Sequence, residues 1–189
     1  SSSFAVGLLN CFHELRGEQI TPAQVAEEAF HVEKFMLNRP VGKQDHYAAA
    51  FGGLNFYRFF PDGRVSVESG ADRETDLAAL FDRIMMFWTG IRRSSTPILD
   101  DMRSGMRDRF DALENMSLLA ERLRQVILDR NDLSVFGTLL DENWQFKRKL
   151  SSKITNPQID KWYEQALEAG AMGGKLCGAG GGGVLMFLV

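Results

Sequence analysis

Apolar residues recur at helical spacing from the fourth position onward. Phe4, Leu8, Phe12 and Leu15 share one stripe, widened by Ala5, Leu9 and Cys11, which predicts a buried helix starting at or just after the opening serines. Thr21-Pro22-Ala23-Gln24 has the composition of a capping box with proline in the first turn. It opens a second helix expected to run to about Asn38, because Pro40 forbids continuation. The apolar stripe of that helix, Ala26, Phe30 and Leu37, also takes in Glu33, whereas Glu27, Glu28 and Lys34 fall on another face. A carboxylate is therefore expected to point inward.

A loop, Val41-Gly42-Lys43-Gln44-Asp45, precedes a short helix over 46–51 that Gly52-Gly53 ends. Residues 54–60 and 64–68 flank Pro61-Asp62-Gly63 and predict a β-hairpin. The acidic, glycine-bearing stretch 69–76 is the best boundary, dividing the chain into 1–72 and 73–189. Beyond it, Ile84-Met85-Met86-Phe87-Trp88 suits helix or strand by pattern; its shortness and the following Gly90 favour a strand. Thr96-Pro97 opens a helix whose stripe continues through Met102, Met106, Phe110 and Leu113, with Leu119, Leu123 and Ile127 on the same or a following helix. Two more helices fit 133–150 and 157–169, the latter capped by Asn156 and closed by Gly170. The run Val184 to Val189 then reads as a strand.

Composition narrows the function classes. The chain has 189 residues, 44% of them hydrophobic, enough for a sizeable core. Its 22 basic and 25 acidic residues are mixed along the chain, net −3, without the basic clustering of a nucleic-acid binder. Small molecules are the expected partners. Cys11 and Cys177 form no CxxC spacing, so neither a disulfide framework nor a zinc site is indicated, and a reducing cytoplasm is expected. No apolar run is long enough for a membrane span. The opening Ser1-Ser2-Ser3-Phe4 and the stop inside an apolar strand both read as cuts, so the chain is expected to be part of a longer parent.

Three features carry chemistry. Serines at a helix N-terminus put hydroxyls and free amides at the positive end of the macrodipole, where phosphate is attracted and a hydroxyl can ligate magnesium; an ordinary N-cap is the alternative. The run Gly178-Ala179-Gly180-Gly181-Gly182-Gly183 matches GxGxxG, but a strand follows it where the dinucleotide fingerprint requires a helix. Its glycines instead allow close approach of backbone amides to a ligand. Glu33 and Asp45 are the third feature. Carboxylates can hold magnesium and accept a proton from an attacking hydroxyl, or serve merely as a core acid and an N-cap.

Taken in order, Ser-Ser-Ser-Phe opening a helix, Ala29-Phe30-His31-Val32-Glu33, Gly42-Lys43-Gln44-Asp45-His46-Tyr47-Ala48-Ala49-Ala50-Phe51-Gly52-Gly53 and the glycine run before a strand resemble the GHMP kinases. The likeness spans essentially the whole chain. Within the family, the Gln44-Asp45 element, Phe87-Trp88-Thr89-Gly90-Ile91 and Gly173-Gly174-Lys175-Leu176 look most like the sugar kinases that act on D-glycero-D-manno-heptose 7-phosphate.

The resemblance implies an α+β, two-domain architecture, its first part like domain 2 of ribosomal protein S5 and its second ferredoxin-like. It implies ATP and Mg2+ as cofactors and a sugar or sugar phosphate as substrate, with transfer to the anomeric hydroxyl. Another sugar, fucose or galactose, or a non-catalytic binding protein on the same fold, is the alternative. By position, Ser1, or Ser2 with the register shifted by one, matches the serine that helps hold magnesium, and Glu33 matches the second magnesium ligand. Ser1, Ser2 and Ser3 together would cradle phosphate, as would Gly178, Gly180, Gly181 and Gly182. Asp45 matches the catalytic base. Lys43 touches a substrate phosphate or lies in solvent; Arg93 binds the sugar's own phosphate or forms a surface ion pair.

His46 departs from the glutamine expected after the Gln-Asp pair. The proline and Gly-Leu-Gly that precede the serines in the family pattern, and the upstream first motif, are absent from this sequence, so the fragment alone is expected to be inactive. No nucleic acid and no membrane are expected as partners, and a homodimer is one candidate assembly.

Overall fold

The computed structural model describes residues 2–70, 78, 80–128 and 133–189. The chain divides into two units, Ser1–Arg73 and Glu74–Val189. The boundary stretch expected over 69–76 lies for the most part outside the described residues, as does Ser1.

In the first unit, α1 (Ser2–Leu15), α2 (Pro22–His31) and α3 (Gln44–Phe51) pack together, followed by an antiparallel hairpin of β1 (Asn55–Phe59) and β2 (Val65–Ser69). Asn55 stands opposite Ser69 and Phe59 opposite Val65, with Pro61-Asp62-Gly63 in the connecting turn. The capping box forms as expected: the Gln24 amide donates to Thr21 Oγ1 at 3.2 Å, and the Thr21 amide donates to Gln24 Oε1 at 3.0 Å.

Two expectations fail here. The stripe Phe4, Leu8, Phe12 and Leu15 does not face the core; Phe4 is 73% and Leu15 83% exposed. The core side of α1 is instead Ser2 and Val6 with Ala5 and Leu9, packed with Val25 and Ala29 of α2 and Ala49 and Ala50 of α3. Small alanine side chains let the three helices approach closely, so a weaker apolar stripe wins the interior. The second failure is at Leu37, expected inward but exposed. After His31 the helix continues as one wider π turn, Val32–Met36, which breaks the 3.6-residue period. Glu33 stays inside while Phe35, Met36 and Leu37 turn outward. Asn38, at φ 49°, then leaves the helical region ahead of Pro40.

The second unit is built on a three-stranded antiparallel sheet of β3 (Ile84–Trp88), β4 (Gly173–Leu176) and β5 (Val184–Leu188), in the order β3-β5-β4. Residues 84–88 are thus a strand, Ile84 opposite Leu188 and Trp88 opposite Val184. Between β3 and β4 run α4 (Thr96–Ser104), α5 (Phe110–Leu128), α6 (Leu133–Arg148) and α7 (Pro157–Glu168). Asn156 caps α7, its side-chain oxygen accepting from the amides of Gln158 and Ile159 at 3.0 Å each.

The stripe expected to continue through Met106 and Phe110 is interrupted. The chain leaves the helix at Gly105, and both side chains are at least half exposed. The core lies between α6, α7 and the sheet, where Trp144, Ile159, Tyr163, Leu176, Leu185 and Phe187 meet. Both units mix helix and antiparallel sheet, so the α+β class holds. No helix among the described residues is long and apolar enough to cross a membrane.

Candidate active site

The inward carboxylate is where the helix pattern put it. Glu33 is 2% exposed, and its two oxygens face different partners. Ser2, in the first turn of α1, donates from Oγ to Glu33 Oε2 at 3.0 Å, and His46 of α3 places Nε2 2.8 Å from the same oxygen. Arg39 donates from Nη1 to Oε1 at 2.9 Å. The His46 ring is fully buried, and its Nδ1 lies 3.2 Å from the Gly42 carbonyl oxygen, which can only accept. Nδ1 therefore donates to that carbonyl. A buried acid is sustained only with such partners.

Asp45, one residue before His46, is exposed in the first turn of α3, where the positive end of the helix dipole favours an anion. Ser3 is exposed beside Ser2. Lys43 is tied down rather than free in solvent. Its Nζ donates to Glu27 Oε1 at 2.6 Å and to the Gly63 carbonyl at 2.9 Å, and it sits 5.5 Å from the centre of the Phe30 ring.

In the second unit the glycine run is the connection from β4 to β5. Several of its glycines serve close packing against protein. A Cβ at Gly182 would lie 2.6 Å from the Ile91 carbonyl oxygen, and one at Gly180 would lie 2.8 Å from Ile154 Cα. The loop is pinned by the Gly181 amide donating to Ile154 O at 2.7 Å and the Gly183 amide donating to Thr89 Oγ1 at 3.0 Å. Gly178, by contrast, is exposed, and Arg93 stands next to the loop with its Nε donating to the Gly180 carbonyl. The alternative of a surface ion pair for Arg93 does not form among the described residues. An apolar cavity of about 370 Å³, lined by Phe87, Trp88, Trp162 and Phe187 among others, contains none of the expected site residues.

The structure thus gathers Ser2 and Glu33 in one unit, and Arg93 with the glycine loop in the other. Sequence reasoning missed Arg39 and His46 as the grip on Glu33, and missed Lys147. That lysine lies on α6, where Leu140, Asn143, Trp144 and Lys147 are all buried, so its inward position follows the same helical spacing that exposed Glu33 as unusual. Lys147 Nζ donates to the carbonyls of Leu176 at 2.8 Å and Gly178 at 2.6 Å. Burial, and after it the Lys175 charge, pushes its pKa down to about 8.

Comparison with known proteins agrees on one family. The family described as GHMP kinases N terminal domain matches residues 1–53, and GHMP kinases C terminal matches residues 119–189. The chain belongs to the GHMP kinases. It is 28% identical over its whole length to D-glycero-alpha-D-manno-heptose 7-phosphate kinase of Campylobacter jejuni subsp. jejuni serotype O:2, covering 56% of that protein. It is 26% identical, again over its whole length, to mevalonate kinase of Thermococcus sibiricus, covering 54% of it. Among solved structures, a D-glycero-D-manno-heptose 1-phosphate kinase from Bacteroides thetaiotaomicron superposes on the whole chain with a TM-score of 0.74 at 24% identity, 51% of that chain being covered. The fold is that of the GHMP kinases, and the chain spans about half the length of the curated relatives it matches.

The residues present fit the magnesium that the family implies. Ser2 Oγ and Glu33 Oε2 are adjacent hard oxygens, and Mg2+ is commonly held by one or two protein oxygens with the remainder supplied by phosphate and water. Oε2 already faces Ser2 and the buried His46, and Oε1 accepts from Arg39, so a metal ion at this carboxylate would take the place of one of these partners.

Proposed function

We propose that this chain carries the catalytic part of an ATP-dependent sugar kinase that phosphorylates a heptose 7-phosphate at its anomeric hydroxyl. The observation that carries this reading is the Ser2–Glu33 contact at the start of α1, a hydroxyl and a buried carboxylate side by side at a helix N-terminus. The similarity to a heptose 7-phosphate kinase supports the substrate class.

Ser2 and Glu33, with Ser1 before them, would hold Mg2+, which when bound neutralises phosphate charge during transfer. Asp45 is the base: its exposed carboxylate accepts the proton of the anomeric hydroxyl as that oxygen forms its bond to the γ-phosphorus and the bond to ADP breaks. Ser3 in the first unit and, in the second, the amides of Gly178, Gly180 and Gly182 would meet phosphate, whereas the Gly181 amide is engaged by the Ile154 carbonyl. Lys43 in the first unit and Arg93 in the second are each proposed as a cation for substrate phosphate. Lys43 reaches a substrate only by leaving Glu27.

The test is ADP release by the protein that carries this chain, assayed with heptose 7-phosphate, fucose, galactose and mevalonate. Turnover fastest with heptose 7-phosphate is expected; preference for an unphosphorylated sugar or for mevalonate would reassign the substrate. Asp45→Asn should lower turnover by roughly 10²- to 10⁴-fold, the usual share of a general base, while nucleotide binding persists. Near-normal turnover would remove Asp45 from the role.

A further inference from the structure

We propose that His46 is a positioning residue for phosphoryl transfer: its imidazole fixes the Glu33 carboxylate for magnesium and ties the helical turn that carries Asp45 to that carboxylate. The chemistry rests on the kinase reading. The contacts themselves lie within the first unit.

His46 is fully buried, and its ring is held on three sides. Nε2 lies 2.8 Å from Glu33 Oε2, Nδ1 donates to the Gly42 carbonyl at 3.2 Å, and the Phe30 ring stands edge-on with 5.8 Å between centroids. Turning the ring over would set carbon atoms against the carboxylate and the carbonyl and lose both hydrogen bonds, so one orientation is fixed.

Asp45 is the residue before it in the first turn of α3, and it is exposed. Neighbouring side chains on a helix diverge by about 100°, so a single turn sends the imidazole inward to the acid and the carboxylate outward to solvent. Holding His46 therefore holds the proposed base at a set distance from the metal-binding acid. In a reaction governed by positioning, a displacement of about 1 Å can cost about 10²-fold in rate.

Glu33 Oε2 is shared by His46 and by the Ser2 hydroxyl, at 2.8 and 3.0 Å. The two partners differ in what they can offer magnesium. Ser2 has a hard oxygen, and by turning its proton away from Oε2 it opens a lone pair there and presents one of its own. Imidazole nitrogen suits softer metals. Ser2 is thus the partner that exchanges, and His46 is the one that stays and keeps Oε2 aimed.

ATP binding to the protein that carries this chain, measured by calorimetry with and without Mg2+, is the experiment, beside turnover in the ADP-release assay. The ratio of the two affinities isolates the metal's share. His46→Leu fills the space without a polar atom and should cut that ratio about tenfold or more, the loss of one hydrogen bond to a charged group, while affinity for metal-free ATP is unchanged. Its turnover should fall about 10²-fold. His46→Gln carries an amide nitrogen toward the position of Nε2 and should restore most of both. A merely structural role would lower stability without moving the ratio.

A wild-type ratio in His46→Leu, or a His46→Gln no better than His46→Leu, would overturn the proposal, as would a wild-type protein that gains nothing from Mg2+. Should His46→Leu not fold, His46→Asn takes its place: its shorter amide reaches the Gly42 carbonyl but not Glu33, so it should lose the ratio that His46→Gln keeps, and equal ratios overturn the role. A magnesium gain that depends on His46, in a protein with no turnover on any acceptor, would keep His46 as the support of a metal site and sink the kinase reading.

Discussion

Glu33 in the first unit and Lys147 in the second are both charged side chains set on the inward face of a helix, 2% and 8% exposed. Glu33 is met by a hydroxyl, an imidazole and a guanidinium, every one able to donate toward it. Lys147 is met by neutral carbonyls; the charge of Lys175, and less so that of Arg93, disfavours its protonated form, while Cys177 acts the other way. Charged side chains meet the acid, whereas carbonyl dipoles alone hold the base among the described residues. An acid so well paired can exchange one partner for a metal ion without being left bare, whereas a base held by carbonyls alone bears the cost of burial as a lowered pKa.

Breaking the paired acid should have the larger effect on stability. Glu33→Ala leaves His46 buried opposite an empty space and is expected to cost on the order of 3–5 kcal/mol in a denaturant titration, as for the removal of one member of a buried pair. A loss below 1 kcal/mol would mean that the cluster is looser than its distances imply. Glu33→Gln retains the shape and should instead weaken the affinity for magnesium-nucleotide, read by calorimetry; an unchanged magnesium titration would count against Glu33 as a ligand.

The uncompensated base is tested by pH. With a folded pKa of about 8 against 10.5 for an ordinary lysine, the unfolded chain binds more protons than the folded one between these values, so stability should rise with pH across that window. For Lys147 the gain from pH 7 to pH 10 is about 2 kcal/mol, with Lys175 adding in the same direction. Tyr163, whose pKa burial raises, contributes the opposite slope only once unfolded tyrosine ionises, near pH 10 and above. A stability curve flat from pH 7 to 10 would show that Lys147 is not strained.

Smallest of all should be Arg39→Gln. Its side chain is half exposed, and water replaces much of what it gives Glu33, so less than about 1 kcal/mol is expected. A cost equal to that of Glu33→Ala would make Arg39, rather than His46 and Ser2, the main support of the acid.

Much of this fold was legible along the chain because its signals are local. The Thr21–Gln24 box, the Asn156 cap, the Pro61-Asp62-Gly63 turn and the strand at residues 84–88 each depend on a few adjacent residues, and each is found where the pattern put it. Glu33 was legible for the same reason: helical periodicity assigns a face, and a carboxylate on an apolar face stands out. That periodicity also misled at α1, where two apolar stripes exist and the bulkier one lies outside, and at Leu37, where one π turn shifts the phase.

The sequence by itself determined the family, the helix caps and the inward acid, since motif order and periodic spacing are properties of neighbours along the chain. The tertiary structure decided which partners meet the two buried charges. Ser2 reaches Glu33 across thirty-one positions, and Lys147 reaches the glycine loop across thirty-one as well. Contacts of that span are set by how helices and strands pack, and no local pattern of side chains carries them.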